Sequence, residues 1–180
     1  MRWKLTAAMV VALALACQDS PQPIEPNARA AALAAQDANL PLTAEVEFGS
    51  DAVGTEFPPG SHDRSFHAFD KLRPATVVIQ RGGSVTYEVD ECHQPAVYQP
   101  GTQPEDIDIT LLEPIGVAGC PPDRINDPDG RLALAPPQSA AEADWTTPPG
   151  TFDNPGTYLV ICTTRVHFVL AKMYGWVIVK

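Results

Sequence analysis

Proline breaks this sequence into short pieces. Nineteen of its 180 residues are Pro and twelve are Gly. A proline inside a helix removes a backbone donor and clashes with the preceding turn, whereas both residue types suit tight turns. Turns are therefore favoured over long helices, and the runs of Val, Ile, Thr and Tyr between them favour strands. With 44% hydrophobic residues, a chain of this length can close the core of one domain. The composition predicts an all-β fold.

The local patterns agree. AEVEFG alternates around Val46 and Phe48, ATVVIQ is a short β-branched run, and SVTYEV sets Val85, Tyr87 and Val89 on one face with Thr86 and Glu88 opposite. With RGG as a turn between the second and third of these, they predict a hairpin with one wet face. Farther on, NPG at Asn154–Gly156 marks a turn before TYLVIC, a continuous apolar run suited to a strand buried on both faces. GWVIVK closes the sequence as another strand. The stretch from Gln99 to Pro155 is rich in Pro, Asp and Gly and predicts long crossovers with short strands around Ile107–Leu111 and Leu132–Leu134. No internal repeat is present. Many short strands with irregular connections predict a β-sandwich of Greek-key character.

The first forty residues have a different composition. Arg2 and Lys4 precede an uncharged, mostly apolar run from Leu5 to Ala16, and small residues lead up to Cys17. This is the pattern of an export signal, with an apolar run too short to span a bilayer comfortably. The Ala16–Cys17 junction followed by polar residues resembles a bacterial lipoprotein signal, which implies that Cys17 is the lipidated first residue of the mature chain; Ala14 stands where such signals usually carry Leu. Residues 17–42, Pro-rich and then Ala-rich, bury little and predict a flexible tether. The expected organisation is a signal over 1–16, the tether over 17–42 and one folded domain over 43–180. Its location is the periplasm or cell envelope, anchored to a bacterial membrane only through that lipid.

A formal charge of -10 argues against nucleic acid as a partner, because phosphate binding draws on clustered Lys and Arg. The acidic surface serves solubility and can steer basic partners.

Chemistry concentrates near the end of the chain, in CTTRVHFVLAKMYGWV, where Cys162, His167 and Met173 fall within twelve positions between two apolar runs. A strand ending at Cys162 and a tight connection back into the last strand would hold the three at one end of the sandwich. Thiolate, imidazole and a weak thioether form a donor set that suits copper cycling between two oxidation states, in a trigonal arrangement of one Cys and two His with a distant axial Met. The second imidazole must come from elsewhere. Of the three other histidines, His93 follows the SVTYEV strand in DECHQPAVY, where a short turn brings it to the same end.

RPATVVIQRGGSVTYEV, then HQPAVYQPG, then PGTYLVICTTRVHFVLAKMYGWVIVK together resemble the cupredoxin family of type 1 copper proteins, relatives of plastocyanin and azurin. The likeness covers roughly residues 65–101 and 150–180, and the C-x4-H-x5-M spacing in its strand context is the specific part. It implies an eight-stranded Greek-key sandwich, one electron-transfer copper, and His93, Cys162, His167 and Met173 as its ligands. Two departures stand out: the His-to-Met gap is slightly longer than in many members, and Cys92 adjoins a ligand.

If Cys17 carries lipid and Cys162 binds metal, Cys92 and Cys120 remain. In an exported protein such a pair most simply forms a disulfide, here worth about 3 kcal/mol in the chain-entropy picture. Two rivals stay open: Cys92 as an extra ligand, and Cys162 itself oxidised into a bridge. His62 and His67 read as ordinary loop and strand-end residues, with a second metal site involving Asp63 or Asp70 as the alternative. NDPDG, Asn126–Gly130, lacks the twelve-residue calcium pattern and its terminal Glu, and reads as a turn. Trp145 and Trp176 read as packing residues.

These features predict an exported, monomeric copper protein that carries electrons between redox protein partners through a ligand edge near the surface at His167, and that turns over no substrate. Two alternatives remain: a copper-handling protein that buffers or delivers the metal, and a non-redox binding module of the envelope.

Overall fold

The computed structural model of the protein describes residues 37, 39–49, 71–136 and 143–180. The expected signal over 1–16, Cys17, and both His62 and His67 lie outside the described residues, as does most of the expected tether.

The regular structure among the described residues is almost entirely strand: β1 (Thr43–Gly49), β2 (Lys71–Arg73), β3 (Thr76–Ile79), β4 (Ser84–Val89), β5 (Pro95–Pro100), β6 (Leu112–Pro114), β7 (Asp123–Ile125), β8 (Arg131–Leu134), β9 (Ala143–Thr146), β10 (Gly156–Cys162) and β11 (Tyr174–Val179). One short helix, α1 (Arg165–Val169), joins the last two. A four-stranded sheet has the order β2-β1-β4-β9, a five-stranded sheet the order β3-β11-β10-β5-β8, and β6 and β7 pair separately. Most neighbours are antiparallel, but β1 lies parallel to β4 and β3 parallel to β11. Successive strands repeatedly change sheet, as Greek-key connectivity requires. The all-β sandwich is the fold that the sequence predicts, with nine strands in its two main sheets rather than the eight that the resemblance implies.

One expectation is overturned. ATVVIQ and SVTYEV do not form a hairpin: β3 pairs with β11 in one sheet and β4 with β1 and β9 in the other. Both strands have an apolar face, Val77 and Ile79 on β3 and Val85, Tyr87 and Val89 on β4, and all five residues join one core. Setting the strands in opposite sheets lets both faces meet across that core. The Gly82–Gly83 turn makes the crossing: Gly82 adopts φ +77°, and a Cβ on Gly83 would sit 2.4 Å from the Leu42 carbonyl oxygen.

The inner core lies between the sheets. Val46 and Phe48 of β1 and the β4 residues pack toward Val97, Val160, Cys162, Met173, Val177 and Val179, all buried. A second core covers the outer face of the five-stranded sheet, where Ala96, Tyr98, Leu159 and Ile161 are sealed by Ile107, Ile125 and Phe168. The segment between β5 and β8 supplies the first two of these covers. β10 is therefore buried on both faces, which explains why TYLVIC is continuously apolar rather than alternating.

Within that segment the strand expected around Ile107–Leu111 is replaced. Residues Pro104–Asp106 form a single 3-10 turn, and the strands lie later, at β6 and β7. Asp108 redirects the chain, because its carboxylate accepts both the Thr110 amide at 2.9 Å and the Thr110 hydroxyl at 2.6 Å, a local turn that competes with strand pairing. The strand expected at Leu132–Leu134 is present as β8. At NDPDG, Asp127 is buried, and its two oxygens accept the Asp108 and Asp129 amides at 2.8 and 2.9 Å. This is a turn, as the sequence predicts.

Candidate metal centre

Cys162 is the last residue of β10 and is fully buried, with its backbone opposite Pro95 of β5. That register sets the turn carrying His93 beside the thiol. Cys92 takes φ +63°, and the His93 amide donates weakly to the Asp90 carbonyl, a tight turn that directs the histidine inward. The His93 ring meets Phe48 edge-on, with centroids 6.3 Å apart.

Past Cys162 the chain enters α1 rather than the tight loop that the sequence suggests. One helical turn places His167 five residues on, and its Nδ1 stands 3.7 Å from the Cys162 Sγ. Met173 is drawn back by two backbone bonds: its amide donates to the His167 carbonyl at 3.1 Å, and its carbonyl accepts the Cys162 amide at 3.0 Å. Lys172 takes φ +55° to allow that return. The His93 and His167 rings lie 4.4 Å apart, tilted by 40°. The four predicted residues are thus gathered at one end of the sandwich, and none is more than 4% exposed.

This burial corrects one expectation. His167 does not present an edge at the surface: it is 1% exposed, because α1 turns it inward with Phe168 and leaves Arg165 and Leu170 outside.

A metal–sulfur bond of about 2.3 Å and a metal–imidazole bond of about 2.0–2.1 Å, meeting at tetrahedral to trigonal angles, hold the two donors about 3.6–3.8 Å apart. The Cys162–His167 separation falls in that interval, so the pair fits a shared ion as it stands. His93 is set differently. Its ring lies against His167, and among the described residues no group of three or more His, Cys, Asp or Glu side chains is drawn together closely enough to hold an ion. In type, the donors suit copper: a soft thiolate, two imidazoles and a thioether.

Cys92 and Cys120 are joined by a disulfide, with Cα atoms 5.2 Å apart. Cys92 is therefore not an extra donor, and Cys162 keeps its thiol. Trp145, on β9, stacks on Tyr87 at 5.7 Å, a packing role as expected. The Tyr87 hydroxyl is buried and has no hydrogen-bond partner among the described residues, and burial pushes its ionisation well above the usual phenol range.

Sequence reasoning missed the polar residues behind the ligands. Gln94 is buried beside His93; its side-chain oxygen accepts the Thr163 hydroxyl at 2.8 Å, and its amide nitrogen donates to the Ala135 carbonyl at 2.7 Å. The hydroxyl of Thr164 donates to the Cys92 carbonyl. Their adjacency to predicted ligands was the only available signal, since the bonded partners lie far apart in sequence.

No family model matches the chain, and no curated protein matches it in sequence. Among solved structures it is similar to reduced auracyanin from Roseiflexus castenholzii, at 16% identity over 78% of this chain and 98% of that one, with a TM-score of 0.48. It is also similar to a purple cupredoxin from Nitrosopumilus maritimus, at 15% identity over 76% and 99% of the two chains with a TM-score of 0.38. A third is plastocyanin from Dryopteris crassirhizoma, at 17% identity over 76% and 99%, with a TM-score of 0.35. At such identities, what this chain does rests on its own side chains.

Proposed function

We propose that this chain is a type 1 copper protein of the cupredoxin family, an exported one-electron carrier that turns over no substrate. The observation that carries the proposal is the buried Cys162 thiol 3.7 Å from His167 Nδ1, with the His93 ring and the Met173 side chain sealed into the same end of an all-β sandwich. Bound copper would supply a one-electron change between its two oxidation states. The chain's own part is to hold donors and exclude water. Cys162 would hold the copper as thiolate, His93 and His167 through neutral ring nitrogens, and Met173 as a weak thioether donor. The exchange partners are redox proteins, and no nucleic acid is involved.

The burial of all four side chains favours the carrier over a copper-delivery protein, because an ion handed between proteins needs a donor that the recipient can reach. The apolar leader and Cys17 support export and lipid anchoring at a bacterial membrane, with the folded domain in the periplasm or envelope.

The test is the visible and electron spin resonance spectrum of the purified, copper-loaded protein. An intense thiolate-to-copper band with narrow copper hyperfine splitting is expected. A spectrum without the thiolate band overturns the assignment.

A further inference from the structure

The segment between β5 and β8 meets the candidate centre along one seam. The disulfide ties Cys120 of this segment to Cys92, the residue before His93. Beside it, β7 runs against the residues that follow Cys162: the Ile125 amide donates to the Thr163 carbonyl at 2.7 Å, and Arg124 forms an isolated bridge with Thr164. On the other side of Thr163, its amide donates to the Gln94 carbonyl at 2.9 Å. The turn bearing His93, the turn bearing Cys162 and His167, and β7 are thus laced together in that order.

Arg124 closes the lacing through side chains. Its Nε donates to Glu113 at 2.6 Å, and a second guanidinium nitrogen reaches the Gln94 side-chain oxygen at 3.5 Å. The other Glu113 oxygen accepts Asn126 at 3.2 Å, and Asn126 in turn accepts Arg131 at 3.1 Å, so the carboxylate is held at both ends. The Arg124 side chain is 16% exposed. A guanidinium presents donors in a rigid fork, so one group grips Glu113 and Gln94 at once, whereas an ammonium on a flexible stem does not span both in fixed geometry.

Resting on the copper-carrier proposal, we infer that Arg124 is a positioning residue for the centre. From outside the sandwich it fastens the His93 turn to the Cys162 turn through Gln94 and the Thr163–Thr164 backbone. It touches no donor. Its effect is to limit how far the donors separate when the charge at the centre changes, as a supporting shell does for a preorganised site.

The test compares Arg124→Leu and Arg124→Lys with the wild-type full chain. In metal-free protein, amide exchange at Thr163 and Ile125 is followed; in copper-loaded protein, the reduction potential is measured. Both variants are expected to speed exchange at the two amides about tenfold. Both are expected to change the ratio of oxidised to reduced copper affinity by about tenfold, equivalent to about 59 mV for a one-electron couple. If Arg124→Lys behaves as wild type while Arg124→Leu shifts, the residue acts only through its charge and the inference is overturned. Wild-type exchange and potential in both variants also overturn it. Should Arg124→Leu fail to fold, Glu113→Gln loosens the same anchor and is held to the same outcomes. A wild-type protein that takes up copper without the thiolate band sinks the carrier proposal and the inference together, whereas a banded wild type with unshifted variants sinks the inference alone.

Discussion

The two faces of the five-stranded sheet are sealed in different ways. Between the sheets, alternating apolar residues from β1, β4, β10 and β11 meet, and burial is non-directional. On the outer face, the segment between β5 and β8 adds a thinner apolar layer and is held down by directional groups: the Cys92–Cys120 disulfide, the Arg124–Gln94 side-chain bond and the Ile125–Thr163 backbone bond. On the inner face lost volume is what costs stability, whereas the outer face depends on a few specific attachments. The candidate centre lies where the two meet, with Cys162 and Met173 in the inner core and Phe168, next to His167, in the outer one.

The most severe test of this contrast is chemical. Cys162→Ser is expected to abolish the thiolate band of the copper-loaded protein while the chain keeps its fold, at a cost of about 1–3 kcal/mol in urea unfolding for a hydroxyl buried in the inner core; a surviving band refutes the ligand. Next in size, Phe48→Ala, which empties a fully buried site against Tyr87 and His93, is expected to cost about 3–5 kcal/mol in urea unfolding. A cost under about 1 kcal/mol would mean the inner core repacks freely.

Removal of the disulfide by Cys92→Ser with Cys120→Ser is expected to cost about 3 kcal/mol. Hydrogen exchange should show the larger loss of protection along β6 and β7 and the smaller along β1 and β4; an even loss across both faces would erase the distinction drawn here. A smaller effect of opposite sign is expected from Tyr87→Phe. Deleting a buried hydroxyl that has no partner among the described residues should stabilise the protein by about 1 kcal/mol in the same assay, and destabilisation would refute the orphaned state.

The weakest expected effect concerns pH. Tyr98 on the outer face is pushed up to about 12 by burial, and then by the Asp127 carboxylate. Its hydroxyl donates to the Asp127 carbonyl at 3.0 Å. The unfolded phenol ionises near 10, so between about pH 10 and 12 the unfolded chain binds fewer protons and stability falls as pH rises. Tyr98→Phe should flatten that slope in alkaline unfolding curves, and an unchanged slope would assign it elsewhere.

Much of this molecule is legible before folding is considered. Strand identity at β1, β4, β10 and β11 follows from alternation or continuous apolarity over six or seven residues, and Cys162, His167 and Met173 reveal themselves by short spacing. His93 is legible only through the turn that sets it at the same end of the sandwich. The helical turn at α1 is not legible because two of the five residues of Arg165–Val169 are β-branched and a third is aromatic, and its helicity comes from packing His167 and Phe168 inward rather than from propensity.

By itself, then, the sequence determined the longer strands, the all-β class and the local cluster of donors, because each depends on residues a few positions apart. Only the tertiary structure decided that β3 and β4 part into opposite sheets, that β10 is covered twice, that His167 is sealed from solvent, and that Arg124 reaches Gln94. Each of these depends on which distant apolar faces and buried polar groups must be satisfied together, and no window along the chain contains that information.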